Sequence, residues 1–355
     1  MPMPGSQRMN SINIAYFLYK WRWVFRVLFV LLLMYGLFKS NWKRKWVLII
    51  PVILLALVLY MVNFKMAADH MFYQPKQKIM STVLNNKVDT NRLVIGVVYN
   101  GKAKAYPIQF LGFHHQVLDT VGGKPLIITY CTVCRTGRVF EPLVNGKYEK
   151  FRLVGMDHFN AMFEDKTTKS WWRQANGEAI TGKLKGQQLP EFFSTQTSLA
   201  DWLSLYPNSL IMQADPAFIN SYESTGKFES GTSRSSLTGT DTLSWNDKSW
   251  VIGIKAGTER KAYDWNQLKK VRIIHDKLGT TELLIVLSKD DKSFFAFERP
   301  LHAMFSFTND TIIYKNRHFR MDGKGIDTVA SLKPLPAYQE FWHSWRTFNP
   351  DTKKY

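Results

Sequence analysis

Residues 93–107, Leu-Val-Ile-Gly-Val-Val-Tyr-Asn-Gly-Lys-Ala-Lys-Ala-Tyr-Pro, predict a β-hairpin. Two strand-forming runs flank the dipeptide Asn100-Gly101, which supplies the two positive φ angles that a type I′ turn requires. Gly122-Gly123 and Asn145-Gly146 separate further short strand-forming runs. Helical periodicity is scarce in this part of the chain, apart from two turns' worth at 199–206. The pattern favours an all-β or β-dominated domain.

The hairpin sequence recurs later in the chain. Val94-Ile-Gly-Val97 returns as Val251-Ile-Gly-Ile254, and a shift of 157 residues also aligns Lys104-Ala-Tyr106 with Lys261-Ala-Tyr263 without a gap. An ungapped series with a matching hydrophobic pattern indicates an internally duplicated β unit. The predicted organisation is a membrane anchor (1–65), a linker (66–91), a first β unit (92–219), a Ser/Thr/Gly-rich connector (220–244) and a second, degenerate β unit (245–355).

The anchor is predicted to contain two hydrophobic transmembrane helices, at about 23–38 and 46–64. The second run holds 19 uncharged residues, which suffice to cross a hydrocarbon core of about 30 Å. An interfacial arm that never crosses is the alternative for the first run. Four basic residues within 39–45 favour a cytoplasmic connector, by the positive-inside rule. We therefore expect a multi-pass anchor in the plasma (inner) membrane, with the lipid bilayer as partner and the main domain in the periplasm or outside the cell.

The net charge of +19 does not indicate a nucleic-acid partner. Residues 1–65 hold nine Lys or Arg residues and no acidic residue, so about half of the excess belongs to the anchor. The remaining +10 is spread over 290 residues without a basic cluster or a groove-reading motif. We predict no nucleic-acid binding.

A Cys-x-x-Cys motif distinguishes the first β unit. At the positions of Cys131 and Cys134 the second unit has Ser288 and Asp291, and groups present in one copy alone are candidates for chemistry. The motif lies between two predicted strands, and His114 is the histidine that one strand register places near it. Three interpretations stay open: a structural disulfide or buried thiols, a redox-active pair, and a metal site with His114 as a third ligand. Zinc or copper would suit such ligands, and neither a reaction nor a substrate is assigned.

A second constellation follows at residues 165–174. Ser170, Trp172 and Gln174 would share one face of a strand, with Asp165 at its start. Such a face could bind a polar ligand such as a glycan, which would make the protein a non-catalytic binding module of the cell envelope. The alternative is that the tryptophan is part of the core and the polar groups cap turns. A purely structural envelope protein is the third interpretation.

Several motifs are distributed between about residue 105 and the C-terminus. They are Ala105-Tyr106-Pro107, His114 with Asp119, Tyr130-Cys-Thr-Val-Cys134, the run 165–174 with Gly177-Glu178-Ala179, and Phe341-Trp-His-Ser-Trp345 with Pro350-Asp-Thr352. Together they resemble the bacterial family catalogued as domain of unknown function 3179, and the resemblance covers nearly everything from about residue 90 to the C-terminus. It implies an often membrane-anchored or exported protein with redox-active chemistry at the cysteine motif, including His114. The family names a fold group and not an activity.

Overall fold

A computed structural model describes residues 6–41, 43–223, 225–327 and 329–355. N-terminal helices precede a mixed α/β domain that is rich in strands after residue 74. Residues 1–5 and 42 of the predicted anchor, 224 of the predicted connector and 328 of the second predicted unit lie outside the described residues. The helices are α1 (Ile12–Lys20), α2 (Arg22–Lys39), α3 (Ile49–Tyr60), α4 (Ala68–Met71), α5 (Ile108–His114), α6 (Leu199–Leu205), α7 (Ile219–Tyr222), α8 (Thr225–Glu229), α9 (Trp265–Val271) and α10 (Trp342–Phe348).

The strands form several small sheets instead of one large one. The sheet orders are β1-β14-β3-β2-β13, β12-β11-β10-β9, β4-β5-β6, β7-β8, β24-β15-β16-β25, β17-β18-β19-β23 and β20-β21-β22. Their bounds are β1 (Met80–Ser81), β2 (Leu93–Tyr99), β3 (Lys102–Pro107), β4 (Gln116–Val121), β5 (Lys124–Cys131), β6 (Thr136–Phe140), β7 (Leu143–Val144), β8 (Lys147–Tyr148), β9 (Phe151–Asp157), β10 (Asn160–Asp165), β11 (Trp171–Arg173), β12 (Ala179–Thr181), β13 (Thr195–Ser198), β14 (Leu210–Met212), β15 (Trp250–Ala256), β16 (Glu259–Asp264), β17 (Ile273–Leu278), β18 (Thr281–Leu287), β19 (Phe294–Glu298), β20 (Ser306–Thr308), β21 (Thr311–Tyr314), β22 (Arg317–Phe319), β23 (Lys333–Leu335), β24 (Ala337–Phe341) and β25 (Lys353–Lys354).

The predicted hairpin is confirmed as β2 and β3. Asn100 and Gly101 have φ angles of 46° and 71°, as the type I′ turn requires. The packing of α6 on β2 depends on a glycine, because a Cβ at Gly96 would lie 2.0 Å from the indole of Trp202. Polar contacts to Asp119, on strand β4, also hold Lys104 and Tyr106 of strand β3 in place.

Those contacts are short and largely buried. The Tyr106 hydroxyl and the Lys104 ammonium both donate to Asp119 Oδ2, at 2.7 and 2.9 Å. An equivalent trio exists in residues 245–355, called here the second half, where Tyr263 and Lys261 donate to Asp276 Oδ2 at 2.8 and 2.6 Å. Strands β15 and β16, helix α9 and strands β17 to β19 follow in the same order as β2 and β3, α5 and β4 to β6.

Of the expected all-β or β-dominated fold, the all-β alternative is wrong, and the domain is strand-rich but mixed. Helices α5, α6, α9 and α10 each span seven residues and contribute buried side chains to the cores, among them Leu111, Trp202, Leu268 and Trp345. Two turns of helix present too few positions for a clear 3.6-residue period, so the sequence pattern revealed only α6. The domain is therefore mixed, with strands in the majority.

The N-terminal region corrects the expected multi-pass anchor. Within the described ranges no single helix is both long and apolar enough to cross a bilayer. Helices α1 and α2 meet at an angle of 65°. Together they are long and apolar enough to cross a membrane, by length and composition alone, and a signal sequence meets the same criteria. The apolar helix that continues α3 to Lys65 is shorter than a span. These findings fit one N-terminal anchor or signal.

Replacing Gly96 by alanine should destabilise the domain by about 1–3 kcal/mol, because overpacking forces α6 away from β2. Gly253→Ala should have a similar cost, since a Cβ there would lie 2.1 Å from the indole of Trp345. Val98→Ala, at a partly exposed position of the same strand, is the control. Chemical unfolding followed by tryptophan fluorescence measures all three, and a cost below that of the control would contradict the packing argument.

Candidate functional site

Cys131 and Cys134 lie at the turn between β5 and β6, as predicted. Both thiols are reduced, and their sulfur atoms are 3.7 Å apart. They are almost completely shielded from solvent, with exposed fractions of 3% and 0%. Apolar side chains surround them, including Phe140, Phe163 and Trp172. The turn therefore presents two adjacent thiols inside the domain and not at its surface.

The hairpin turn between β9 and β10 covers the thiols. Both sulfur atoms lie within hydrogen-bonding distance of the carbonyl of Phe159, at 3.6 Å from Cys131 and 3.4 Å from Cys134. His158 and Phe159 have φ angles of 49° and 66°, in the left-handed region that non-glycine residues seldom occupy. We call residues 157–160 the covering turn. It must move before another molecule can touch either sulfur.

The two thiols differ in acidity. Burial opposes a charge on Cys131, but hydrogen bonds from the Cys134 thiol and from the backbone N–H groups of Ala161, Cys134 and Val133 outweigh it and lower the pKa of the Cys131 thiol. Burial, together with the hydrogen bond to Cys131, raises the pKa of Cys134 well above its usual value. Cys131 is therefore the better thiolate and Cys134 retains its proton, which is the asymmetry expected of an attacking and a resolving thiol.

Residues of the second half complete the surroundings of the thiols. The Lys248 ammonium donates to the carbonyl of Val133 at 3.0 Å, and His343 Nε2 lies 3.2 Å from the same oxygen. Burial and the neighbouring Lys248 charge lower the pKa of His343 to about 4, so its ring is neutral near pH 7. Burial also lowers the pKa of Lys248, whereas charge on the two cysteines raises it. A cation thus lies next to the turn where a thiolate would form.

Two buried arginines hold the cysteine turn against the second half. The Arg135 guanidinium donates to Gln339 and to the carbonyls of Phe228 and Glu229, each at 3.0 Å. Arg138 pairs with Glu340, and the exposed fraction of each side chain is 2%.

Glu340 also accepts hydrogen bonds from Thr136 at 3.0 Å and from Ser344 at 2.9 Å. Removing one partner of such a buried pair typically costs about 3–5 kcal/mol, because the other charge is left without compensation. The position of the thiols is therefore tied to strand β24 and helix α10.

The comparisons with known proteins identify the family. The family described as "Protein of unknown function (DUF3179)" matches residues 74–352, which is most of the chain. This chain belongs to that family. No curated protein and no solved structure matches it.

Sequence reasoning missed several of the residues around the thiols in this DUF3179 chain. Arg135, Arg138 and Lys248 were not candidates, since nothing in their spacing from the cysteines indicates contact. His343 and Ser344 lie within the Phe341–Trp345 motif that carries the family resemblance, and that motif was the available signal. The backbone amide of Phe341 donates to the carbonyl of Cys134 at 2.9 Å, which brings this motif to the turn.

The hydrogen-bond partners of His114 are two tyrosines and not the cysteines. Its ring contacts the carbonyl of Tyr73, and its Nε2 lies 2.7 Å from the Tyr222 hydroxyl. Burial lowers the pKa of His114. The residue ends helix α5 instead of starting a strand, so the register argument that placed its ring near Cys131 does not apply. Among the described residues no three His, Cys, Asp or Glu side chains form a group that could hold a metal ion, so the predicted ligand set of His114, Cys131 and Cys134 is not gathered there.

The predicted polar face at 165–174 points into the domain. Asp165 Oδ2 accepts hydrogen bonds from the Trp172 indole at 3.0 Å and from the Ser170 amide at 3.1 Å. The Ser170 hydroxyl accepts from the Leu184 amide, and Gln174 donates to the carbonyl of Thr136. These groups are buried and satisfied by neighbours within the fold, which is the arrangement of a packed polar core.

Replacing Lys248 by methionine should raise the pKa of the Cys131 thiol by roughly one unit, because a nearby cation stabilises the thiolate. The absorbance of the thiolate near 240 nm, followed from acid to alkaline pH, measures the change. Below the pKa the thiol is protonated, so the variant should show less thiolate at every pH of the transition. Lys289→Met, at a highly exposed lysine, is the control. Coinciding titration curves for both variants and the unmodified chain would remove Lys248 from the site.

Proposed function

We propose that Cys131 and Cys134 form a redox-active dithiol that exchanges with the disulfide of a partner. The observation that carries this proposal is the pair of thiols at 3.7 Å with opposite shifts in pKa. A disulfide needs a sulfur–sulfur distance of about 2.05 Å, which rotation of the side chains within a turn can supply.

The exchange consists of two displacements. The Cys131 thiolate attacks one sulfur of the partner's disulfide, that disulfide breaks, and the partner's other sulfur leaves as a thiolate. Cys134 then loses its proton and attacks Cys131 Sγ, which releases the partner's remaining sulfur as the Cys131–Cys134 disulfide forms. Two electrons pass to the partner, and the protons that Cys131 and Cys134 lose equal those its two thiolates take up. The reverse sequence reduces Cys131–Cys134.

Three features support Cys131 as the attacking sulfur. Backbone N–H groups stabilise its thiolate, Lys248 adds a positive charge beside the turn, and Cys134 is held as the protonated donor. His114 contacts Tyr73 and Tyr222, and the proposed exchange does not require it. The protein would thus act through the cysteine turn, with Lys248 beside it, once the covering turn opens.

We infer that the two halves of the domain arose by duplication of one β unit. The support is the shared order of elements, the matched contacts of Gly96 with Trp202 and of Gly253 with Trp345, and the two Lys-Tyr-Asp trios. The second unit has Ser288 and Asp291 where the first has its thiols, so only the first would carry the chemistry. Equal costs of the two glycine substitutions described above would favour the duplication, and unequal ones would count against it.

Variants of the two cysteines test the redox proposal. In glutathione buffers of increasing oxidising strength, the unmodified full-length chain should lose two hydrogens as Cys131–Cys134 forms. Cys134→Ser should instead accumulate a mixed disulfide with glutathione at Cys131, because no resolving thiol remains. Cys131→Ser should form far less adduct, since the remaining Cys134 thiol has the raised pKa. Intact-protein mass spectrometry measures all three chains.

The control is alkylation of each chain after denaturation, which verifies that every expected thiol is present. Thiols that stay reduced in the most oxidising buffer, in a chain that unfolds normally in denaturant, would leave the pair structural.

We also infer that the strand-rich domain is exported and stays attached to the inner membrane through its N-terminus. The support for export is that a disulfide-forming pair suits an oxidising compartment. Alkaline phosphatase fused after Tyr355 should be active in intact cells, because the enzyme needs disulfides formed outside the cytoplasm. Green fluorescent protein at the same position is the complementary reporter. Strong fluorescence without phosphatase activity would place the domain in the cytoplasm.

A further inference from the structure

Helix α1 packs against the sheet that carries the covering turn. The rings of Tyr16 and Tyr19 lie 5.1 and 5.3 Å from that of Trp171, measured between centroids. The Tyr16 hydroxyl donates to the carbonyl of Lys169 at 3.1 Å, and the Tyr19 hydroxyl accepts from Arg152. These contacts fix one face of α1 on strands β9 to β12.

The opposite face of α1 is also apolar, although it faces away from the domain. Ile14, Phe17 and Leu18 have exposed fractions of 65%, 53% and 51%. Arg8 precedes the helix and Lys20 ends it. A surface helix of a water-soluble domain would present polar side chains at such positions, so this face indicates a second, apolar neighbour.

The basic charge of the N-terminal region and its continuity with the apolar helix α2 indicate that this neighbour is lipid. Residues 1–65 contain nine basic and no acidic residues, which suits anionic headgroups. The apolar helix α2 follows at once, after a bend of 65° at Trp21. The contacts of Tyr16 and Tyr19 with the domain exclude α1 from the hydrocarbon core, so the bent pair is not one straight span.

We propose that α1 lies flat on an anionic membrane surface, with the domain on one face and lipid on the other, while α2 is the part that enters the bilayer. Interfacial helices of this type bury their apolar face about 5–10 Å into the boundary between headgroups and acyl chains. The proposal concerns the surface of α1 alone and holds whether or not the thiols are redox-active.

The same placement brings the thiol site to the membrane side of the domain. Gln7 joins the N-terminal segment to the covering turn: its Nε2 donates to the carbonyl of Met156 at 3.2 Å, and its Oε1 accepts from the Phe159 amide at 2.8 Å. The turn that shields Cys131 and Cys134 is therefore bonded to the segment that rests on lipid. A molecule that reaches the thiols by displacing this turn would approach next to the bilayer.

Photochemical crosslinking of the full-length chain tests the placement of α1. Benzoylphenylalanine replaces Phe17, Tyr16, Phe29 or Leu301 in separate chains, which are reconstituted in nanodiscs of phosphatidylglycerol and phosphatidylethanolamine. Position 17 probes the outer face of α1, position 16 its inner face, position 29 the exposed surface of α2, and position 301 an exposed site of the domain. Mass spectrometry of peptides from irradiated samples identifies lipid and peptide adducts.

We expect a lipid adduct at position 17 that maps to the glycerol or the upper acyl carbons, and one at position 29 that maps deeper. Position 16 should crosslink to a peptide of the β9–β12 sheet, and position 301 should give no lipid adduct. Lipid adducts at 16 and 17 alike, as deep as at 29, would show that α1 is part of a span. No lipid adduct at 17 with a normal one at 29 would show that α1 faces water or protein, and either result overturns the proposal.

Discussion

The buried ion pair between Arg138 and Glu340 links the strand that follows the cysteine turn to strand β24 near the end of the chain. Neither side chain contacts solvent to any useful extent, so each charge depends on the other and on its hydrogen bonds. Arg138 lies on β6, directly after the cysteine turn, and Glu340 lies on β24, directly before α10. The pair therefore sets the distance between Cys131 and Cys134 on one side and His343 and Ser344 on the other.

The thiol site combines a lowered pKa at Cys131 with very low exposure. Hydrogen bonds from the Cys134 thiol and from three backbone N–H groups stabilise a Cys131 thiolate, and the N–H groups come from two different hairpins, the cysteine turn and the start of β10. The covering turn that completes this arrangement also excludes other molecules. His158 and Phe159 of this turn adopt left-handed backbone conformations, which the surrounding contacts must maintain. The covering turn therefore limits access to the thiols, whereas the hydrogen bonds that lower the pKa of Cys131 come from residues outside it.

The two halves show which residues serve the fold and which serve the site. The contacts of glycine with tryptophan and the Lys-Tyr-Asp trios occur in both halves, because each β unit needs a close helix–strand contact and a fixed strand end. The thiols occur in the first half alone. His114 also has no counterpart in the second half. Its partners, Tyr73 and Tyr222, nevertheless belong to a packed aromatic group. A residue found in the first half alone can therefore serve packing, as His114 does.

Sequence patterns predicted part of the local structure, although not helices α5, α9 and α10. Asn100-Gly101 specified the hairpin through its positive φ angles, the match at a shift of 157 residues predicted strands β15 and β16, and Cys131-x-x-Cys134 lies on a turn between strands as its flanks predicted. The contacts between side chains depend instead on how distant parts of the chain pack together. Arg138 and Glu340 are 202 residues apart, and Lys248 and Val133 are 115 apart, so no local pattern records their contact. The burial of Trp172 and Gln174 was decided in the same way, because an alternating strand has two faces and the packing of neighbouring sheets selects the one that turns inward.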